Sequence, residues 1–236
     1  MRGSAPYLCC IALAIAPTGA DGRERWRATV ALTTDYVVRG VSQTAGGAAL
    51  QAGLTYQSAR GWYAGAWGSN VDKGPTHLEV DLFAGYTQPL ARDWSIDVQF
   101  VRYEFPDGDM LLDYDYSELA VALAYRDWLR LSLAASNDTT MFTYRGLSTD
   151  RTALAWDVGV QRPLGSRLSV VAGLGYYDLR HLFDTGYVYG SLGLYTDIGP
   201  LRIDLSHYRT DSEGRELFGS ELAGGRTVLS VVSSFR

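Results

Sequence analysis

The sequence predicts an all-β protein, a single-domain antiparallel transmembrane β-barrel of about 12 strands preceded by a cleaved signal peptide. Three observations carry that expectation. Strand-length segments alternate apolar and polar residues from Trp26 onward, the connections between them alternate long and short, and the chain closes on an alternating strand whose penultimate residue is Phe235.

The first twenty residues hold Arg2, an apolar stretch from Tyr7 to Ala16, and small residues before a cut after Ala20. This is the pattern of a secretory signal, and the apolar run is too short for a membrane-spanning helix. The expected division is residues 1–20 as signal peptide and 21–236 as barrel. Cys9 and Cys10 both lie in the leader, so the mature chain has no thiol for a disulfide or a metal site. Removing Arg2 leaves 20 basic against 26 acidic residues, a formal −6, which argues against a nucleic-acid partner. Abundant glycine (26) and tyrosine (16) with a mean hydropathy near zero suit strands that show one face to lipid and the other to water.

The first strand places Trp26, Ala28, Val30, Leu32, Tyr36 and Val38 on one side, with Arg27, Asp35 and Arg39 opposite. Leu50, Ala52, Leu54 and Tyr56 continue the pattern, and Gly61 to Ser69 is ambiguous because Trp62 and Trp67 fall on opposite faces. Next come Leu78 to Tyr86 with Glu79 and Asp81 opposite, and Trp94 to Phe100 with Asp97 opposite. Leu119 to Tyr125 follows beside Glu118, then Leu129 to Leu133 with Arg130 opposite and Leu154 to Val160 with Asp157 opposite. Leu168 to Tyr176, Val188 to Leu194, Leu201 to Leu205 with Arg202 and Asp204 opposite, and Thr227 to Phe235 complete the set. Long connections fall near 40–48, 70–75, 104–113, 137–150, 178–186 and 210–226, and short ones separate them. An even meander of this kind puts both termini at the short-turn, periplasmic side of an outer-membrane barrel. Trp26, Tyr56, Trp62, Tyr86, Trp94, Tyr125, Trp128, Tyr195 and Phe235 are expected as the periplasmic aromatic girdle, and Tyr36, Trp67, Phe100, Tyr176 and Tyr187 as the outer one. A soluble sandwich or lipocalin-like barrel would also alternate, but strands of this length with aromatics at both ends fit a membrane span better.

The stretch from Leu32 to Thr44 (LTTDYVVRGVSQT), with Ala49 to Leu54, Gly61 to Asp72 and Glu79 to Tyr86, resembles the TorF-like family of outer-membrane porins. The resemblance implies an outer-membrane barrel with a passive-channel role, and it supplies no catalytic residues. One departure is Arg236 after Phe235, because such barrels usually end on the aromatic that the barrel-assembly machinery reads.

Assigning the polar faces to the lumen makes Asp35, Arg39, Glu79, Asp81, Asp97, Glu118, Arg130, Asp157, Arg202 and Asp204 the candidate pore lining, with Arg27 beside them. Acids outnumber bases in that set, so the expected function is passive diffusion of small hydrophilic solutes with mild preference for cations or neutral molecules. The same residues would equally brace a small barrel shut, since twelve strands lie between filled eight-stranded barrels and open sixteen-stranded ones.

An enzyme is not expected. His77, His181 and His207 do not group with a serine and an acid on one face. His77 with Glu79 and Asp81 is the most site-like cluster, though any lumen-facing strand shows that pattern, and neither a metal nor a cofactor is called for. A third reading is a surface-interaction scaffold. It rests on the loops at 137–150 and 210–226 and on Arg145, Arg151, Arg180, Arg209, Arg215 and Arg226, which would meet lipopolysaccharide phosphates. Expected partners are outer-membrane lipid and lipopolysaccharide, the assembly machinery at Phe235, and small hydrophilic solutes.

Overall fold

A computed structural model describes residues 24–107, 112–139, 143–144 and 151–235. The expected signal peptide lies outside the described residues. Twelve strands close into one barrel: β1 (Arg25–Thr33), β2 (Ala49–Gln57), β3 (Trp62–Asn70), β4 (Leu78–Pro89), β5 (Trp94–Glu104), β6 (Tyr116–Tyr125), β7 (Leu129–Thr139), β8 (Arg151–Leu164), β9 (Leu168–Asp178), β10 (Gly186–Ile198), β11 (Leu201–Thr210) and β12 (Arg226–Phe235). Each strand pairs antiparallel with its sequence neighbours. β1 closes on β12 from Ala28 opposite Phe235 to Thr33 opposite Ser230. Closure leaves no unpaired edge, which is what a sheet in hydrocarbon requires.

Period-2 alternation sets the two faces. Outward residues such as Leu50, Leu82, Phe100, Leu174, Leu192 and Leu205 are exposed, while their inward neighbours Asp81, Gln99, Glu118 and Ser206 are buried. A water-soluble protein rarely exposes so continuous an apolar surface. Ringed by hydrocarbon instead, the same surface is satisfied.

At the short-turn end, cross-strand aromatic pairs ring the outside: Trp26 with Tyr56 at 5.2 Å, Trp62 with Tyr86 at 4.7 Å, and Trp94 with Tyr125 at 5.0 Å between centroids. Phe235 is exposed beside them. Tyr195 departs from the expected girdle: its parity on β10 turns it inward, where its hydroxyl meets Gln161. At the other end, Phe100 and Tyr176 face out as expected. Tyr36, Tyr187 and Trp67 instead point inward, with Trp67 packed on Tyr36 at 5.5 Å. The ambiguous strand β3 thus puts Trp62 outside and Trp67 inside.

The first strand is also shorter than its alternation suggests. It stops at Thr33, and the connection at 34–48 folds into a small hairpin in which Val37–Val38 pairs with Val41–Ser42. Asp35 causes the departure: its carboxylate accepts hydrogen bonds from the Ser42 and Thr44 hydroxyls at 2.6 and 2.8 Å, gathering the chain into a turn. Arg39 and Gly40 form the tip with φ of 47° and 80°, the paired left-handed geometry of a tight hairpin turn. A Cβ on Gly40 would lie 2.7 Å from the Thr210 methyl, so glycine is required there on two counts.

The fifth long connection carries a single helical turn, α1 (Arg180–Phe183). The last carries α2 (Ser212–Phe218) and α3 (Ser220–Ala223), with Asp211 capping α2 by accepting from the Gly214 amide at 3.0 Å. Phe218 meets Tyr187 at 5.5 Å, so this pair of helices lies over one side of the mouth.

Candidate functional site

The interior of the barrel is polar, and tyrosines organise it. Its long-loop half is filled by the 34–48 hairpin. Tyr36 packs with Tyr63, Phe83, Val101 and Tyr103, Val37 with Tyr208 and Val228, and Val41 with Tyr187 and Tyr189. The hairpin therefore touches opposite walls. Arg39 at its tip pairs with Glu118 on β6 at 2.8 Å, both side chains nearly sealed at 6% and 4% exposure, and its guanidinium lies 4.3 Å from the Tyr177 ring centre. Tyr103 donates to the same Glu118 at 3.2 Å. Removing one partner of a pair this buried costs about 3–5 kcal/mol, because the other charge is left stranded.

Most of the remaining carboxylates also have partners, although Asp81 Oδ1 and Glu79 Oε2 are buried without a hydrogen bond among the described residues. Asp35 takes the Arg226 guanidinium, and Glu79 accepts from Tyr36 at 3.2 Å. Asp204 accepts from Ser206 at 2.7 Å, and Arg202 pairs with Asp197 at 2.7 Å while lying over the Tyr195 ring. Lys73, in the connection between β3 and β4, sits 4.3 Å from the Phe105 ring centre. Burial lowers the pKa of its ammonium, while the nearby charges of Glu79 and Asp81 pull it the other way.

Asp97 and Asp157 are held by a repeated device. Tyr63 on β3 reaches over Gly85 on β4 to donate to Asp97 on β5 at 3.0 Å. In mirror sense, Tyr189 on β10 reaches over Gly175 on β9 to donate to Asp157 on β8. A Cβ on either glycine would fall 2.4 Å from the overlying ring, so only glycine admits it. Gly175 belongs to the Gly173-Leu174-Gly175 step, and its lack of a side chain makes room for the Tyr189 ring. Between the two clasps, register aligns Asp97 with Ala122, Ser132 and Asp157 across β5 to β8, and Arg130 lies one inward position nearer the short-turn end.

All ten candidate residues thus have their side chains on the interior side of the barrel wall, Asp35 and Arg39 from the hairpin and not from strand β1. Three bases outside the candidate set join them: Arg25 at the start of β1, Lys73 and Arg226. Arg226 is the sharpest departure, since it is expected at the outer surface and turns inward to Asp35. Lys73 leaves no trace in strand periodicity, because it lies in a connection, whereas Arg226 shares the inward parity of Val228 and Ser230 on β12 and is missed only by counting it with the preceding loop. With them, acids and bases in the interior are close to balanced.

His77 is exposed just before β4 and is not gathered with the buried Glu79 and Asp81. His207 faces outward, its Nδ1 3.0 Å from the Thr227 hydroxyl. No group of three or more metal-ligating side chains occurs among the described residues. Of the outer arginines, Arg180 is exposed but paired with Asp178 at 2.6 Å, Arg215 donates to the Thr210 carbonyl at 2.9 Å, and Arg145 lies outside the described residues.

A closed, even-stranded antiparallel barrel, apolar outside and hydrogen-bonded inside, defines the class: an antiparallel transmembrane β-barrel. Residues 18–233 match Gcw_chp, described as a bacterial protein of unknown function, and the chain belongs to that family. No curated protein matches the sequence. Among solved structures, the fold is similar to a KdgM porin (TM-score 0.53, 9% identity, covering 89% of this chain and 98% of that one). It is also similar to a NanC porin (TM-score 0.54, 13% identity, 90% and 100% covered). A KdgM porin in complex with disordered oligogalacturonate is similar as well (TM-score 0.53, 8% identity, 91% and 99% covered).

Proposed function

We propose that this protein is an outer-membrane diffusion channel for small hydrophilic solutes, with both termini periplasmic and with mild preference for cations or neutral molecules. The observation that carries the reading is a charged, hydrogen-bonded interior enclosed by a barrel whose outside is apolar. Lipid has no access to such an interior, and its value lies in contact with water and solute. The porin fold and the TorF-like resemblance of Leu32 to Tyr86 support the same reading. The near balance of interior charge, once Lys73 and Arg226 are included, favours the neutral end of the preference and gives no reason to expect a polyanion such as oligogalacturonate.

The lining of the path is Asp35, Arg39, Glu79, Asp81, Asp97, Glu118, Arg130, Asp157, Arg202 and Asp204, with the Arg39 hairpin as its narrowest part. Reversal potential under a salt gradient tests the proposal. Weak cation selectivity or none is expected, and strong anion selectivity would contradict it. A second reading is a non-conducting, braced barrel acting as a surface scaffold, and the buried Arg39–Glu118 pair specifically favours it. Complete electrical silence of a folded barrel would establish that alternative.

A further inference from the structure

The interior is not filled evenly. In the long-loop half Tyr36, Arg39, Tyr103, Glu118, Tyr187 and Tyr208 are all buried. On the β6–β8 wall of the short-turn half the inward residues Ala124, Arg130, Ser132 and Asp157 are only partly buried, although Asp97, Ala122 and Gln161 around them are buried, so this stretch of wall keeps contact with solvent. The inward neighbours of Arg130 and Asp157 on these strands, Ala122, Ala124 and Ser132, are small, as is Gly159 opposite Arg130. Arg130 is opposite Gly159 on β8 and Ala124 on β6, which puts Asp157 in the diagonal position on the adjoining strand, within reach of a long side chain. Among the described residues the Arg130 guanidinium forms no hydrogen bond or ion pair, whereas Arg39, Arg202 and Arg226 all do.

We propose that Arg130 and Asp157 form a binding site for a small zwitterion, an ammonium carboxylate of the amino-acid class, in the short-turn half of the barrel. The inference rests on the channel reading for how such a solute arrives. Arg130 offers a planar pair of donors suited to a carboxylate. A simple anion there would also face Asp157 and, farther along the same row, Asp97. A simple cation drawn by those acids would meet Arg130. A solute carrying both charges satisfies both sides, and Ala122, Ala124 and Ser132 leave room for a short carbon chain between them. Tyr189 fixes the Asp157 carboxylate in advance and Tyr63 fixes Asp97, so little ordering remains to be done on binding.

The test is binding of γ-aminobutyrate to the refolded mature chain in detergent micelles, followed by saturation-transfer NMR, with acetate and methylammonium as single-charge controls. Saturable binding of γ-aminobutyrate, at least tenfold tighter than either control, is expected. Arg130→Gln should weaken it at least tenfold, and Arg130→Lys should restore part of it. Equal binding by acetate, or unchanged binding in a folded Arg130→Gln barrel, would overturn the site. Conductance measured on the same preparations separates the two proposals. Channel steps without γ-aminobutyrate binding overturn the site and leave the channel, and binding without steps overturns the channel and leaves the site.

Discussion

Arg39 is the residue on which the interior turns, because it is the one charge that crosses from the hairpin to the opposite wall. Arg39→Gln should leave Glu118 buried with only Tyr103 to serve it, lowering stability by about 3 kcal/mol and freeing the hairpin tip. Unfolding in urea, with the mutant midpoint unchanged, would count against the pair as a brace. The tyrosine clasps yield a second expectation. Gly175→Ala drives a methyl into the Tyr189 ring and should cost about 1–3 kcal/mol, whereas Gly165→Ala, with open space around it but a positive φ, should cost less; comparing their unfolding midpoints checks the difference. At this scale parity made the acids legible: every one of Asp81, Asp97, Glu118 and Asp204 faces inward because it alternates with an apolar neighbour. Lys73 was not legible, since the direction of a side chain outside a strand's alternation is set by what packs around it, whereas Arg226 was hidden only by counting it with the loop before β12.

The element that most shapes the bore is the 34–48 hairpin. Its sequence continues the alternation of β1 through Tyr36 and Val38, so periodicity extends the strand where the chain in fact turns inward on Asp35. The physical signals that mark the turn are short: Asp35 with Ser42 and Thr44 as hydroxyl partners, and Gly40 where φ is positive. Gly40→Ala should strain the tip and clash with Thr210, weakening the hairpin by about 1 kcal/mol or more. Hydrogen exchange at the Gln43 amide, which donates to the Tyr36 carbonyl at 2.7 Å, reads that loosening, and unchanged protection would contradict it. The twelve strands themselves were legible because each buries one face and exposes the other. Their boundaries blur only where aromatic residues at the rims, such as Tyr36 and Tyr187, suit an interior as well as an interface.

For the whole molecule, the exterior decides between a membrane barrel and a soluble one with the same meander. Leu205 lies near the centre of β11 on the outside, 51% exposed and opposite Leu194 and Leu229. Leu205→Arg should destabilise the barrel in a phospholipid bilayer by about 2–4 kcal/mol. A change near zero would indicate that this face meets water. Closure and an apolar outside followed from alternation and from the long-short rhythm of the connections. How far the bore is open did not, because that depends on the connection at 34–48 folding inward and on tyrosines leaning over glycines three strands deep.

The most direct measurement is single-channel conductance of the refolded mature chain in a planar bilayer, beside the Arg39→Gln variant. Small discrete steps that grow severalfold when Arg39 no longer anchors the hairpin to Glu118 are the predicted result. Two folded barrels that insert and both stay electrically silent would contradict the account.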